Sequence, residues 1–443
     1  MTRKFGICFV VVGVFCCLIA AGCGSGQSST TTATSANPST DTPAGTPSTP
    51  TTPSTPTTPT APVNSTPTPP VSNPTNPPIA YVYVGEGTNP SEIAAIAVQS
   101  DASLMPVSGS PFSGPTGNTW GLPSTIPPGG IVTNGKYVFA TDGTNIVTYT
   151  LQSNGGLSNV SSISAASYLD ETVGAYPDYI VGALELDPSG SFLYASESTS
   201  IGNAFSNFAV QSNGALTYQS STGSSVATIR SLQYSPVSQL YYGAGCARMA
   251  WAFGAFQGGT DGQLNQISGF AAAYPFVANT NVFICPLALA VSAQGYLAIA
   301  YSETSLDTYE TLSADIAIYQ ITSSGNLELK TKSAFVTGFA APNGVPINQL
   351  RFDPTGVYLA AAGQNGVETF NLASNGTLTQ LGAAEPDVTF IDAQWDNNGN
   401  LYAISNAALY VFTSNSGSVS LVGTPYPVPA TSLAVLPVGA NQN

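Results

Sequence analysis

The sequence contains no histidine. That absence excludes Ser-His-Asp and Cys-His nucleophilic catalysis, His-ligated zinc, and the side chain that most often acts as general base near neutral pH. Charge is scarce too. Only 7% of the 443 residues are Asp, Glu, Lys or Arg, against about 25% in an average domain. Long helices with salt-bridged faces need those residues and are not expected. Basic residues are the rarest: 8 Lys and Arg, with Arg3 and Lys4 among them, stand against 23 Asp and Glu, for a formal net charge of −15. Phosphate backbones and anionic lipid are held by clustered Lys and Arg, so no nucleic acid partner is expected, nor a membrane bound through the folded surface. Carboxylates, Tyr, Ser and a few Lys and Arg remain for chemistry. What is plentiful is turn-forming or apolar: 44 Gly, 34 Pro and 43% hydrophobic residues. Short strands joined by tight turns fit that composition, so the expected class is all-β.

The amino terminus reads as an export signal. Thr2-Arg3-Lys4 is a short positive region, Phe5 to Ala21 carries no charge, and small residues lead into Cys23. The ending Leu18-Ile19-Ala20-Ala21-Gly22-Cys23 resembles a bacterial lipobox, which implies that residues 1–22 are removed and that Cys23 carries lipid. Ordinary cleavage to a secreted protein and a retained membrane anchor are the alternatives, the apolar run being at the short limit for a span. No Asp follows Cys23, and by the same resemblance the outer membrane of the cell envelope is favoured. Residues 23–78 are rich in Thr, Pro, Ser and Ala and nearly free of large apolar side chains. Such a stretch cannot repay the entropy of folding, so it is expected to be a disordered stalk reaching on the order of 150 Å.

Beyond it two signatures alternate. The first is a strand, a turn and a strand: LELDPSGSFLYA (184–195), LQYSPVSQLYYG (232–243), LALAVSAQGYLAIA (287–300), QLRFDPTGVYLAAA (349–362), DAQWDNNGNLYAIS (392–405) and a weaker GGIVTNGKYVFAT (129–141). The second is a strand, a Gly-containing turn and a strand, as in NFAVQSNGALTYQ (207–219) and TFNLASNGTLTQL (369–381), and it occurs seven times. We name the four strands of a unit A to D. IAYVYVGEG (79–87) matches strand B with no strand A before it, and SLAVLP (432–437) matches strand A with no strand B after it. Complementary half-units at the two ends predict a closed ring: a seven-bladed β-propeller over residues 79–437, its C-terminal strand closing the first blade, with 438–443 as a tail.

The text LELDPSGSFLYA followed by NFAVQSNGALTYQ, together with SLMPVSGSPF (103–112), resembles the lactonase-type seven-bladed propellers. That group includes 6-phosphogluconolactonase, cyclases of carboxymuconate and YVTN-repeat surface proteins. The matching residues are turns and blade cores, so the resemblance implies the fold and carries over no catalytic residue. It places ligand sites on the face shared by the B–C and D–A loops. Just past strand B come Glu86, Asp142, Glu197, Gly245, Glu303, Gln364 and Asn406. A carboxylate ring there would suit Ca²⁺ or another divalent cation, a cationic or hydroxylated ligand, or acid–base chemistry. Solvated loop ends are the plain alternative. Arg230 precedes a strand A on the same face and is expected to reach Glu197. Cys246 and Cys285 fall on that face in adjacent blades, and export favours a disulfide between them. The acidic stretches 168–179 and 301–315 are expected to be loops that meet a ligand or partner. The expected function is a lipid-anchored, monomeric module binding a protein or carbohydrate ligand; the alternative is a hydrolase acting on a lactone or related ring.

Overall fold

The computed structural model describes residues 76–87, 91–115, 130–143, 145–164, 180–198, 203–224, 229–247, 250–268, 270, 272, 275, 281–308, 310–334 and 346–439. The signal segment, most of the Thr/Pro-rich stretch and the 168–179 insertion lie outside them. Among the described residues every regular element is a strand, and the strands form seven antiparallel sheets.

Blade I holds β1 (Pro78–Glu86), β2 (Glu92–Gln99), β3 (Leu104–Pro106) and a short β4 (Phe112–Ser113). Blade II holds β5 (Ile131–Thr133), β6 (Tyr137–Thr141), β7 (Asn145–Leu151) and β8 (Leu157–Ser164). Blade III is β9 (Ile180–Leu186), β10 (Phe192–Ser198), β11 (Asn203–Val210) and β12 (Leu216–Ser224). Blade IV is β13 (Ile229–Ser235), β14 (Leu240–Ala247), β15 (Ala250–Gly258) and β16 (Leu264–Gln266). Blade V is β17 (Val282–Val291), β18 (Tyr296–Ser305), β19 (Thr311–Ile321) and β20 (Leu327–Ala334). Blade VI is β21 (Ile347–Phe352), β22 (Tyr358–Gly363), β23 (Gly366–Leu372) and β24 (Leu378–Ala384). Blade VII is β25 (Asp392–Trp395), β26 (Asn400–Ile404), β27 (Ala408–Asn415), β28 (Ser418–Leu421) and a short β29 (Tyr426–Pro427).

The last strand, β30 (Ala430–Pro437), pairs with β1 and supplies the inner strand of blade I, with Val82 opposite Val435 and Val84 opposite Leu433. The seven inner strands β30, β5, β9, β13, β17, β21 and β25 each touch the next, and the last meets the first. This is the seven-bladed propeller, closed by its C-terminal strand, that the half-units imply.

The core is not one cluster but seven, one in each gap between consecutive blades. Strand B is apolar on both sides because each of its faces meets a different neighbour: Val138 and Ala140 pack toward blade I, while Tyr137 and Phe139 pack toward blade III. Each buried Leu or Phe contributes about 1.5–3 kcal/mol, so every gap must be filled for the ring to hold.

Turn chemistry fixes the register. The Asp187 carboxylate accepts from the backbone N–H groups of Ser189 (3.0 Å) and Phe192 (2.6 Å), and Gly190 takes a φ of 67°. Asp353 repeats this with Thr355 and Tyr358 in blade VI. The C–D turns couple blades. Gly214 has a φ of 86°, and a Cβ there would come within 2.5 Å of the Tyr137 ring of the preceding blade. In blade I the equivalent turn position is Ala102, held at a φ of 62°. The equivalent of Tyr137 in blade VII, which precedes it around the ring, is the small polar Asn400.

Two expectations are corrected. Residues 301–315 are mostly not a loop: β18 runs on to Ser305 and β19 starts at Thr311, their ladder extending to Thr304 opposite Thr311. The alternating pattern of TLSADIAIYQI sustains the strand through the acidic stretch. Glu197, Gly245 and Glu303 also lie inside β10, β14 and β18 and not past their ends, and Glu86 is the last residue of β1.

Candidate functional site

Two of the expected residues come together. Glu86 and Asp142 line one pocket between blades I and II, with Glu92, Ser91, Thr141, Thr431 and Ser432. Glu86 and Glu92 are directly paired where β1 meets β2. Burial, and then the Glu92 charge, push the Glu86 carboxyl above its ordinary range. Asp142 is buried and accepts from the Asn145 backbone N–H at 2.8 Å, which folds the turn between β6 and β7. Gly85 permits the close approach of Ser432, since a Cβ on it would stand 2.5 Å from that hydroxyl. The pocket is therefore acidic and hydroxyl-lined, and no basic side chain is among its described lining residues.

Of the other expected residues, Glu303, Gln364 and Asn406 do not join it. Glu303 is half-buried in blade V beside Tyr301, whose hydroxyl is pushed up by burial and by the charges of Asp315 and Glu303. Gln364 lies in the β22–β23 turn, its Oε1 buried without a hydrogen-bond partner among the described residues. Asn406 is exposed in the β26–β27 turn. The side chains of Glu197, Arg230 and Cys246 lie outside those described. Cys285 is disulfide-bonded. Among the described residues no group of three or more Cys, Asp or Glu is placed to hold a metal ion.

A second constellation was missed by sequence reasoning. It sits on the inner strands. Val132, Glu185, Gln233, Ala290, Arg351, Gln394 and Ala434 occupy one register layer, opposite Phe139, Tyr194, Tyr242, Ala298, Ala360, Tyr402 and Tyr83 of their strands B. Two residues back along their strands, Gln349 and Asp392 form the layer above in blades VI and VII. Glu185, Gln233, Gln349, Arg351, Asp392 and Gln394 are all half-buried although they lie on the innermost strands. Partial exposure on the innermost strands is what side chains lining an axial channel would show.

Its electrostatics are unusual for so few charges. Burial raises the Glu185 carboxyl to about 8, and the positive charge of Arg351 pulls it part of the way back. Asp392 is likewise raised by burial and lowered by Arg351, and it accepts from Gln349 Nε2 at 3.1 Å. Gln233 Nε2 donates to Glu185 at 3.4 Å. Gln394 donates to the Leu433 carbonyl at 2.7 Å and accepts from Val435 at 3.1 Å, fastening blade VII to β30. The signal for this layer was present in the sequence: a polar or charged residue between apolar neighbours in LEL, LQY, LRF and AQW.

These blades define a seven-bladed propeller of the lactonase-like fold. No family model and no curated protein sequence matches the chain. Among solved structures, the periplasmic gluconolactonase of Pseudomonas aeruginosa superposes with a TM-score of 0.59 at 14% identity, covering 81% of this chain and 99% of that one. A Bacteroides uniformis protein assigned as a 6-phosphogluconolactonase gives a TM-score of 0.60 at 15% identity, with coverages of 81% and 99%. A Lactobacillus plantarum protein gives 0.59 at 14% identity, with the same coverages. At such identities the likeness is one of fold.

Proposed function

We propose that this chain is a ligand- or partner-binding propeller of the cell envelope, exported and held by lipid on Cys23, with the Thr/Pro-rich stretch as its spacer. The observation behind the binding role is the pocket between blades I and II. It gathers Glu86, Glu92 and Asp142 with four hydroxyl side chains, and its described lining residues include neither a basic group nor a nucleophile–base pair. Paired like charges on Glu86 and Glu92 favour a ligand that brings positive charge or many hydroxyl donors: Ca²⁺ or another divalent cation, an amine, or a carbohydrate. Arg230 with Glu197, and a Cys246–Cys285 bridge, belong to the same reading as supports of that face.

The test is calorimetric titration of the full-length chain with calcium chloride, spermidine and simple sugars. One of these should bind, and Glu86→Gln should weaken it. Binding unchanged by Glu86→Gln would remove the pocket from the reading. Mass spectrometry of the mature amino terminus should find acylated Cys23, and an unmodified terminus would remove the anchor.

A second reading is a hydrolase acting on a lactone or related ring. It draws on the fold shared with the Pseudomonas gluconolactonase and on the protonatable Glu185 in the channel. Turnover of simple lactones that is lost in Glu185→Gln would put this reading first.

A further inference from the structure

We propose that the axial channel is a binding site for a small carboxylate, with Arg351 as its anchor and Glu185, Gln233 and Gln349 as flanking hydrogen-bond groups. It is independent of the pocket between blades I and II. Glu185 belongs to blade III and Arg351 to blade VI, which lie nearly opposite each other in a ring of seven, and the register puts both in one layer. The guanidinium therefore faces the axis with a carboxyl across from it.

Arg351 lacks the partners that a purely structural arginine would have. Among the described residues its guanidinium makes one hydrogen bond, a 3.4 Å contact from Nη1 to the Leu350 carbonyl, and no ion pair. A guanidinium has five N–H donors, so most of them are left for something in the channel. Glu185 and Asp392 lie close enough for their charges to act on it but not in contact. Trp395 Nε1 donates to the Arg351 carbonyl at 3.1 Å and fixes the backbone beneath the side chain.

The ligand class follows from charge and shape. One planar guanidinium matches one carboxylate in a two-bond fork, whereas phosphate sites gather several Arg or Lys. Arg351 is the one Arg or Lys among the described side chains of the inner strands; Arg230 on β13 lies outside them. A cation is disfavoured by Arg351 itself. Below about pH 8 Glu185 is largely protonated, so its O–H can donate to the bound carboxylate while the Gln233 and Gln349 amides supply further N–H groups. Above that pH the ionised Glu185 competes for Arg351 and repels the ligand. The other described titratable groups around this layer are Asp392, held partly in check by Gln349, and the Tyr241 phenol in the gap between blades III and IV, which burial keeps protonated.

The probes are sodium D-gluconate and sodium acetate, titrated calorimetrically into the full-length chain at about pH 6 and about pH 9.5, with inorganic phosphate as the contrasting anion. At least one carboxylate should bind at the lower pH and weaken at the higher. Arg351→Gln should weaken binding by about tenfold or more, and Arg351→Lys by less, since a point charge keeps attraction but loses the fork. Glu185→Gln should bind at the lower pH and lose the fall at the higher. Should Arg351→Gln fail to fold, the Lys variant and the pH contrast of Glu185→Gln still decide. Equal affinity in wild type and folded Arg351→Gln, no carboxylate binding at about 10 mM, or tighter binding of phosphate than of either carboxylate would overturn the proposal. Loss of binding in Glu86→Gln with the channel variants unaffected would instead point to the pocket between blades I and II.

Discussion

Replacing Glu368 with Gln should stabilise the protein at pH 8 and cost about 1 kcal/mol at pH 4. Glu368 lies in β23 opposite Ala361 and is only 2% exposed. Its neighbours on that face, Ala361 and Phe370, pack against Ala300, Ala314 and Ile316 of blade V, so the carboxyl is enclosed between two blades. Its Oε2 has no hydrogen-bond partner among the described residues. Burial raises its pKa from the ordinary 4.5 to about 7. Between those values the unfolded chain has released the proton and the folded chain still holds it. The unfolded state binds fewer protons, so stability falls as pH rises through this window and is lowest above 7. At 1.36 kcal/mol for each pH interval, the group costs on the order of 3 kcal/mol at pH 8. Glu368→Gln cannot ionise and removes that cost, less about 1 kcal/mol for an amide without partners. For a domain of about 360 residues, the net gain of about 2 kcal/mol corresponds to about 3 °C in Tm. Denaturant unfolding of both proteins at pH 4 and pH 8 isolates the effect, because the amide penalty is common to both conditions. A stability difference that is the same at the two pH values would refute the assignment of an enclosed, ionising carboxyl.

Three further outcomes are expected. Gly214→Ala should cost about 2–4 kcal/mol, because the site has a φ of 86° and its Cβ would crowd the Tyr137 ring; the Gly214→Ala, Tyr137→Ala double variant should lose less than the sum of the singles in thermal melts. Asp353→Ala should cost about 1–2 kcal/mol in the same assay, since the carboxylate accepts from Thr355, Val357 and Tyr358 of its turn. Non-reducing peptide mapping should recover Cys285 linked to Cys246, and reduction should lower stability by about 3–4 kcal/mol, the entropy of a loop of about 40 residues.

The fold was legible because its devices recur at fixed offsets in short stretches of chain. An Asp five residues before the first residue of strand B closes the A–B turn at both Asp187 and Asp353, and a Gly in the C–D turn accepts the preceding blade. Such local chemistry needs no knowledge of the ring. Closure was legible for a different reason: β1 has no strand A before it and β30 no strand B after it, and each supplies what the other lacks. The reach of β18 and β19 was not legible, since Glu303, Asp307, Glu310 and Asp315 read as a solvated loop and only the paired ladder keeps the backbone extended.

The channel was hidden by the same regularity that exposes the fold. The layer that holds Val132 in blade II, Glu185 in blade III, Gln233 in blade IV, Ala290 in blade V, Arg351 in blade VI, Gln394 in blade VII and Ala434 in blade I is one position of one repeat. In any single copy that position is merely the middle of an inner strand, and a repeat reading averages it away. Only closure brings residues as far apart in sequence as Glu185 and Arg351 across one axis. Turn Asp and Gly residues are shared between blades because every blade must fold and dock in the same way. A ligand on the axis meets all seven blades at once, so selectivity for it can come only from a position where the blades differ. In this chain, poor in charge and nearly devoid of arginine, that position holds Glu185 and Arg351 opposite each other, and the strongest argument for function comes from the least repetitive point of the repeat.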